Sequence, residues 1–374
     1  MTSASIESAA RGGGDHWQEA YNRGVSYYAA GQLALAIDSY CLAARLNPFD
    51  ADIFFNLALA YKNAGDSDKA VVAYVAALAI DPDDYDVHYN LGRLYNEMGH
   101  RNQAITALEN ALAIRSDFAP ALTNLGAIYA GHGMCDKAVA VYERLLVIGY
   151  KPMAANHIIH ALKGQTTDAA PFSYVKELFD DCAGHFEERL VGDLFYDIPR
   201  QLVDFLRAHD GDRKTYGRML DLGCGTGLCG QAFARMAESI TGVDLSVAMI
   251  AKAREKEVYK EIVEGDIVSS LDGAPVYDLI VAGDVFIYLG ELESVFSNLP
   301  DCLAKDGRIV FSTEFLAGRG YRLQPSGRYA HSTSYITILA AENGLEVRAV
   351  KSVNIRQEYG RWIAGELFIV GYGL

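Results

Sequence analysis

The chain has 374 residues, 51% hydrophobic and 22% charged, enough apolar material for two or three packed domains. Its formal net charge of −15 argues against a non-specific nucleic-acid binder, which needs Lys and Arg to neutralise phosphates. No apolar run approaches the roughly 18–20 residues of a membrane span, and residues 1–16 lack the apolar stretch of a signal peptide, so a flexible N-terminus and a cytoplasmic location are expected.

Residues 17–150 repeat with a period of 34. Tyr27, Tyr61, Tyr95 and Tyr129 form one column; Ala36, Ala70, Ala104 and Ala138 form another. The small residues Gly24, Ala58, Gly92 and Gly126 recur, and so do the larger Tyr40, Tyr74, Leu108 and Tyr142. Small against large at helical spacing lets paired helices pack closely, and Gly31, Gly65, Gly99 and Gly133 mark the turns between them. The pattern resembles four tetratricopeptide repeats. Asn22, Asn56, Asn90 and Asn124 also recur. Their amides either clamp the backbone of an extended peptide or protein partner, or bond backbone within their own repeats.

Residues 151–171 read as a capping helix and a polar linker. His157 and His160 are three apart on that helix, but no carboxylate or cysteine stands near them, and no metal site is expected. The six cysteines form no C-x-x-C and read as reduced thiols.

From residue 219 the grammar changes. Short β-branched runs (MLDLG, ITGVDL, EIVEG, YDLIVAG, GRIVFST) alternate with helical stretches, which implies βαβ units and a mostly parallel sheet. The first run enters Gly223-Cys-Gly225-Thr-Gly227 and a helix follows, a turn that lets backbone approach the negative end of a ligand. Leu228 stands where a dinucleotide fingerprint needs Gly or Ala, and the Lys of a P-loop is missing. Asp244 ends the second run and suits a ribose; Asp266 follows the third and Gly283 the fourth.

These ordered motifs resemble the class I S-adenosylmethionine-dependent methyltransferases, with D-x-G-x-G-x-G met by Asp221, Gly223, Gly225 and Gly227. The resemblance covers 172–374 and implies a Rossmann-like domain with a seven-stranded sheet and a helical lid over 172–210. It implies that the glycine turn holds the methionine half of S-adenosylmethionine and Asp244, beside Leu245, the ribose. Asp266 would bind the adenine amino group, Ile267 would lie beside its ring, and Met249 would close over it. Gly283 and Asp284 would line the methionine end and face the acceptor, and S-adenosylhomocysteine would be the product. The lid stretch is similar to that of small-molecule methyltransferases of the quinone-biosynthesis and trans-aconitate type, and its Phe179, Phe186 and Tyr196 either cover the cofactor or simply pack. Two features depart from relatives. Phe286-Ile287-Tyr288 replaces a His pair common after the fourth strand, and the Asn/Asp-Pro-Pro-Tyr/Phe signature of base and glutamine methylation is missing.

For the acceptor, residues 308–361 hold eight basic and four acidic residues, a local excess that suits an anionic ligand or a solvated mixed surface. Arg328 is expected to hold an acceptor carboxylate while His331 takes a proton, with Tyr329, Glu314 and Tyr288 as polar neighbours. The plainer reading has His331 capping the next helix and Arg328 pairing with an acid. The expected function is methyl transfer to an O- or N-acceptor on a small molecule. A peptide or protein methyltransferase fed by the repeats is the alternative, and a scaffold with a catalytically silent domain is a third.

Overall fold

A computed structural model describes residues 14–211, 215–358 and 360–373. The flexible N-terminus expected over 1–16 lies, up to residue 13, outside them. The chain divides into two compact units, Met1–Tyr150 and Lys151–Leu374.

The first unit is a succession of helix pairs: α1 (Gly14–Ala29) with α2 (Leu33–Leu46), α3 (Ala51–Asn63) with α4 (Ser67–Ile80), α5 (Tyr85–Glu97) with α6 (Arg101–Ile114), and α7 (Ala119–Gly131) with α8 (Cys135–Val147). Asp50, Asp66 and Asp84 cap α3, α4 and α5 by accepting from backbone N–H groups of the first turn. The turns inside the pairs run through Gly31, Gly65, Gly99 and Gly133 at φ between 71° and 82°, backbone that side chains with a Cβ rarely adopt. The small-against-large columns are direct contacts. A Cβ on Gly24 would stand 2.6 Å from the Tyr40 ring, one on Gly92 2.8 Å from Leu108, and one on Gly126 2.9 Å from Tyr142.

The asparagine column is largely occupied within the array. Asn56 donates to the Tyr21 hydroxyl at 2.9 Å and the Asp52 carbonyl at 2.9 Å, Asn90 to the Asp86 carbonyl at 2.8 Å, and Asn124 to the Tyr89 hydroxyl at 3.4 Å. Two of these bonds reach the preceding repeat, so the amides also tie repeats together.

The second unit begins with α9 (Pro152–Leu162), the helix expected to cap the repeats. Then come α10 (Phe172–Cys182), a π-helical turn (Glu188–Asp193) and α11 (Ile198–Asp210), over the stretch expected to form a lid. The sheet contains β1 (Tyr216–Leu222), β2 (Ala237–Asp244), β3 (Glu261–Glu264), β4 (Tyr277–Ala282), β5 (Leu303–Phe315), β6 (Tyr321–Leu323), β7 (Tyr329–His331), β8 (Leu345–Glu358) and β9 (Arg361–Tyr372). Parallel pairing runs β3-β2-β1-β4-β5; β9 joins β5 antiparallel, and β8 joins β9. That seven-strand path carries the expected topology, and the β6–β7 hairpin is an addition hung on the last residues of β5. Alternate residues feed two cores. Met219, Leu279 and Val310 pack with Leu202 and Leu206 of α11 on one face; Leu220, Ile280 and Phe311 pack with Phe296 and Ile336 on the other.

Candidate active site

The glycine turn follows β1 and leads into a short helix, α12 (Leu228–Phe233), with Gly223, Gly225 and Gly227 at φ 65°, 53° and 91°. A Cβ on Gly223 would stand 2.4 Å from Val285, so the turn lies against the loop after β4 and has no room for a side chain. Asp221 is fully buried beneath it. Its Oδ2 accepts from the Tyr259 hydroxyl at 2.6 Å, while no residue among those described comes within hydrogen-bonding geometry of its Oδ1. Burial pushes this carboxyl up to about 7, against the Tyr259 bond, which pulls it down.

Asp244 joins the strand ends. Its Oδ2 accepts from Gly225 N at 2.8 Å and its Oδ1 from Ser246 N at 2.9 Å, while its carbonyl accepts from Gly265 N at 3.0 Å. Of the carboxylate's roughly four acceptor sites these bonds leave capacity for a ligand. Burial raises the Asp244 carboxyl although these backbone bonds lower it. Asp266 instead uses its carboxylate locally: it caps α14 (Ile267–Leu271) through Val268 N and Ser269 N, and Ser269 Oγ donates to its other oxygen. Ile267 is half-buried against the core, and Met249, on α13 (Val247–Glu255), is fully buried.

Helix α10 is tied to the ends of β2 and β3. Lys176 of α10 donates to the Leu245 carbonyl at 2.9 Å and pairs with Glu264 at 3.1 Å, and Asp180 accepts from Ser246 Oγ at 2.5 Å. Phe179 sets its ring edge-on to Phe186 at 5.9 Å and to Tyr288 at 5.4 Å.

Two hairpins rise past the sheet on the side where the acceptor was expected. β7 pairs with the end of β5 at Glu314↔Ala330, and β8 and β9 continue beyond the Glu314↔Gly365 pair to Glu358↔Arg361. Between them lies a buried charge network. Arg356 donates through Nη1 to Asp284 at 2.9 and 3.2 Å, through Nε to Glu358 at 2.7 Å, and through Nη2 to Glu314. Arg328 donates to the same Glu358 oxygen at 2.5 Å. Burial raises the Glu314 carboxyl, outweighing the pull of Arg356 and Arg328; at Glu358 the same guanidiniums overcome burial and hold the carboxyl low. Asp284 sits at φ 58°, a strained conformation for a residue with a Cβ, and its N–H donates to Ser312 Oγ at 2.8 Å.

This geometry corrects the expected acceptor group. His331 is fully buried and its Nε2 donates to the Gly290 carbonyl at 3.0 Å, so it anchors the loop after β4 and is closed to an acceptor. Burial lowers its pKa to about 4. Ser332, not His331, caps α15 (Thr333–Glu342), by accepting from Tyr335 N at 3.3 Å. Tyr329 is fully buried with its hydroxyl 2.6 Å from Thr167 Oγ1. Arg328 is already matched by Glu358, which removes the case for an acceptor carboxylate there. Tyr288 remains half-buried beside the lid. His157 packs within the second unit, its Nε2 2.8 Å from the Gly327 carbonyl. Sequence reading missed Tyr259, Lys176, Asp180, Glu358 and Arg356; an arginine inside a strand was the one visible oddity.

The family model of a methyltransferase domain matches residues 220–309, the stretch from the glycine turn into β5. Tetratricopeptide-repeat models match residues 42–72, 63–99 and 85–118. The chain joins tetratricopeptide repeats to a methyltransferase domain. A bifunctional biotin-biosynthesis protein of Saccharophagus degradans is 26% identical over 159 residues, 41% of this chain and 26% of that protein. The malonyl-[acyl-carrier protein] O-methyltransferase of Bacillus anthracis is 32% identical over 99 residues, 26% of this chain and 37% of that protein. The chain thus spans between a quarter and two-fifths of the length of these curated relatives. Among solved structures, the magnesium protoporphyrin IX methyltransferase of Synechocystis PCC 6803 matches 54% of this chain and all of its own, at 16% identity and a TM-score of 0.42.

S-adenosylmethionine is the cofactor of this family. The methyltransferase domain fits it on its own geometry: a turn with no space for a Cβ at Gly223, a fully buried Asp221 carboxyl whose Oδ1 is unpaired among the described residues, and spare acceptor capacity on Asp244. Among the described residues no helix is long and apolar enough to cross a membrane, and no cluster of His, Cys, Asp or Glu suits a metal.

Proposed function

We propose that this chain transfers the methyl group of S-adenosylmethionine to an oxygen or nitrogen of a small molecule. The observation that carries the reading is the hydrogen bond from Gly225 N to Asp244, which fuses the glycine turn and the ribose-ready acid into one cradle. In this reading Gly223, Gly225 and Gly227 approach the methionine half, Asp244 and Leu245 take the ribose, and Asp266, Ile267 and Met249 frame the adenine. Gly283, Asp284 and Tyr288 face the acceptor. When bound, the cofactor supplies an electrophilic methyl; the protein aligns the acceptor and keeps out water. Lys176 and Asp180 hold the lid across the cradle, which serves the second task.

The repeats recruit a peptide or protein partner in this proposal. With the Asn56 amide donors satisfied inside the array, its carbonyl oxygen is what it offers such a partner. The test is incubation of the full chain with methyl-labelled S-adenosylmethionine and, separately, the small-molecule and protein fractions of a cell extract. Label in the small-molecule fraction supports the proposal. Label in protein alone favours a peptide or protein methyltransferase, and label in neither favours a scaffold.

A further inference from the structure

The network around Arg356 is not balanced. Asp284, Glu314 and Glu358 bring three carboxylates to the two guanidiniums of Arg356 and Arg328. Every charge is largely buried: the side chains of Arg356 and Glu314 are 2% and 8% exposed. The excess is localised. Glu358 is shared by both arginines and Asp284 is gripped through both its oxygens, whereas Glu314 uses only Oε1, on Arg356; among the described residues its Oε2 has no hydrogen bond. Burial of an unmatched carboxylate is costly unless a positive group joins it.

The network also lies at the right end of the crevice. Asp284 stands between Gly283 and Val285. A Cβ on Gly283 would meet Cys229 of α12 at 2.5 Å, and Val285 fills the space beside Gly223. The Asp284 N–H is tied to Ser312 of β5, two residues before Glu314. The carboxylate excess therefore adjoins the glycine turn on the side of β4 and β5, where the proposed function puts the methionine end of the cofactor and the acceptor.

We propose that this network is a cation-selective site, with Glu314 as its unmatched carboxylate, that holds the positive sulfonium of S-adenosylmethionine more tightly than the neutral thioether of S-adenosylhomocysteine. Methyl transfer would form a bond from the acceptor oxygen or nitrogen to the methyl carbon as the S–CH3 bond breaks. The electron pair of the broken bond would stay on sulfur, removing the charge there, and the acceptor's proton would pass to solvent. The product then loses the attraction that held the substrate, which favours its release. The inference rests on the cofactor assignment above and concerns only its charge.

The test is calorimetric titration of the full chain with S-adenosylmethionine, S-adenosylhomocysteine and sinefungin, which carries an amine-bearing carbon in place of the sulfonium. Both cationic ligands are expected to bind at least about fivefold more tightly than S-adenosylhomocysteine. In Glu314→Gln that preference falls to within about twofold, through weaker binding of the cations alone. Equal or tighter binding of S-adenosylhomocysteine by the unaltered chain overturns the inference and leaves the cofactor assignment standing, as does an undiminished preference in Glu314→Gln. Failure of all three to bind overturns both. The comparison in the unaltered chain decides the matter even if Glu314→Gln does not fold.

Discussion

Arg356 grips Asp284 through a single guanidinium nitrogen, Nη1, which lies 2.9 Å from one carboxylate oxygen and 3.2 Å from the other. Asp284 holds a left-handed backbone at φ 58°, so the grip fixes a conformation that a residue with a Cβ does not choose alone. A side chain on β8 thereby sets the loop after β4.

Removing that guanidinium strands the carboxylates of Asp284 and Glu314 and leaves Glu358 to Arg328 alone. Arg356→Met is expected to destabilise the chain by about 3–5 kcal/mol, the cost of breaking a buried ion pair from one side. The exposed pair Lys252–Glu255 is the contrast: Lys252→Met should cost less than about 1 kcal/mol. Denaturant titration of both variants checks the difference, and similar losses would mean that the Arg356 network is not held as described.

Two buried groups oppose one another as pH changes. The Asp221 carboxyl is raised to about 7, so the folded state holds its proton longer than the unfolded state, and stability falls as pH rises from about 4 to 7. His331 is lowered to about 4, so its contribution is present above its unfolded value and is lost as pH falls towards 4. The two contributions are opposite in slope over nearly the same window. Asp221→Asn should therefore gain stability relative to the unaltered chain as pH rises from 4 to 7, and His331→Gln should gain as pH falls from 6.5 to 4. Unfolding free energies across pH 4–7.5 test both signs.

In the repeats, Gly24→Ala sets two effects against each other. Alanine in a helix gains up to about 1 kcal/mol over glycine, but its Cβ would come within 2.6 Å of the Tyr40 ring, and overpacking costs about 1–3 kcal/mol. Tyr40 is buried and cannot swing clear, so net destabilisation is expected. A melting temperature at or above that of the unaltered chain would contradict the close packing of α1 on α2.

The proposed closing role of α10 predicts a kinetic effect. Lys176→Ala together with Asp180→Ala removes the contacts to Leu245, Glu264 and Ser246, and should speed dissociation of S-adenosylhomocysteine about tenfold in stopped-flow measurements. An unchanged off-rate would mean that α10 does not gate the cradle.

The fold was legible where its signal is local or periodic. The small and large columns of the repeats announce their own contacts, as Gly24 against Tyr40 shows, and the glycines after Leu222 need no partner to declare a turn. The β6–β7 hairpin escaped because its strands have three residues each, too short for an alternating pattern. The acceptor side was the least legible. His331 in a basic window looks like a base, yet its ring turns inward because Gly290, 41 residues earlier, supplies an acceptor. Arg328 looks like an anion anchor until Glu358, 30 residues later, is seen to occupy it. Pairings made across the sheet are invisible to spacing along the chain.

The measurement that bears most directly on the central claim is calorimetric titration of S-adenosylmethionine into the unaltered chain and into Asp244→Ala. The account predicts one site per chain, weakened in the variant by about 2–4 kcal/mol through the loss of charge-assisted hydrogen bonds, and no binding of NADH, since Leu228 stands where a dinucleotide fingerprint has Gly or Ala. Undiminished binding by a folded Asp244→Ala, or binding of NADH in place of S-adenosylmethionine, would contradict it.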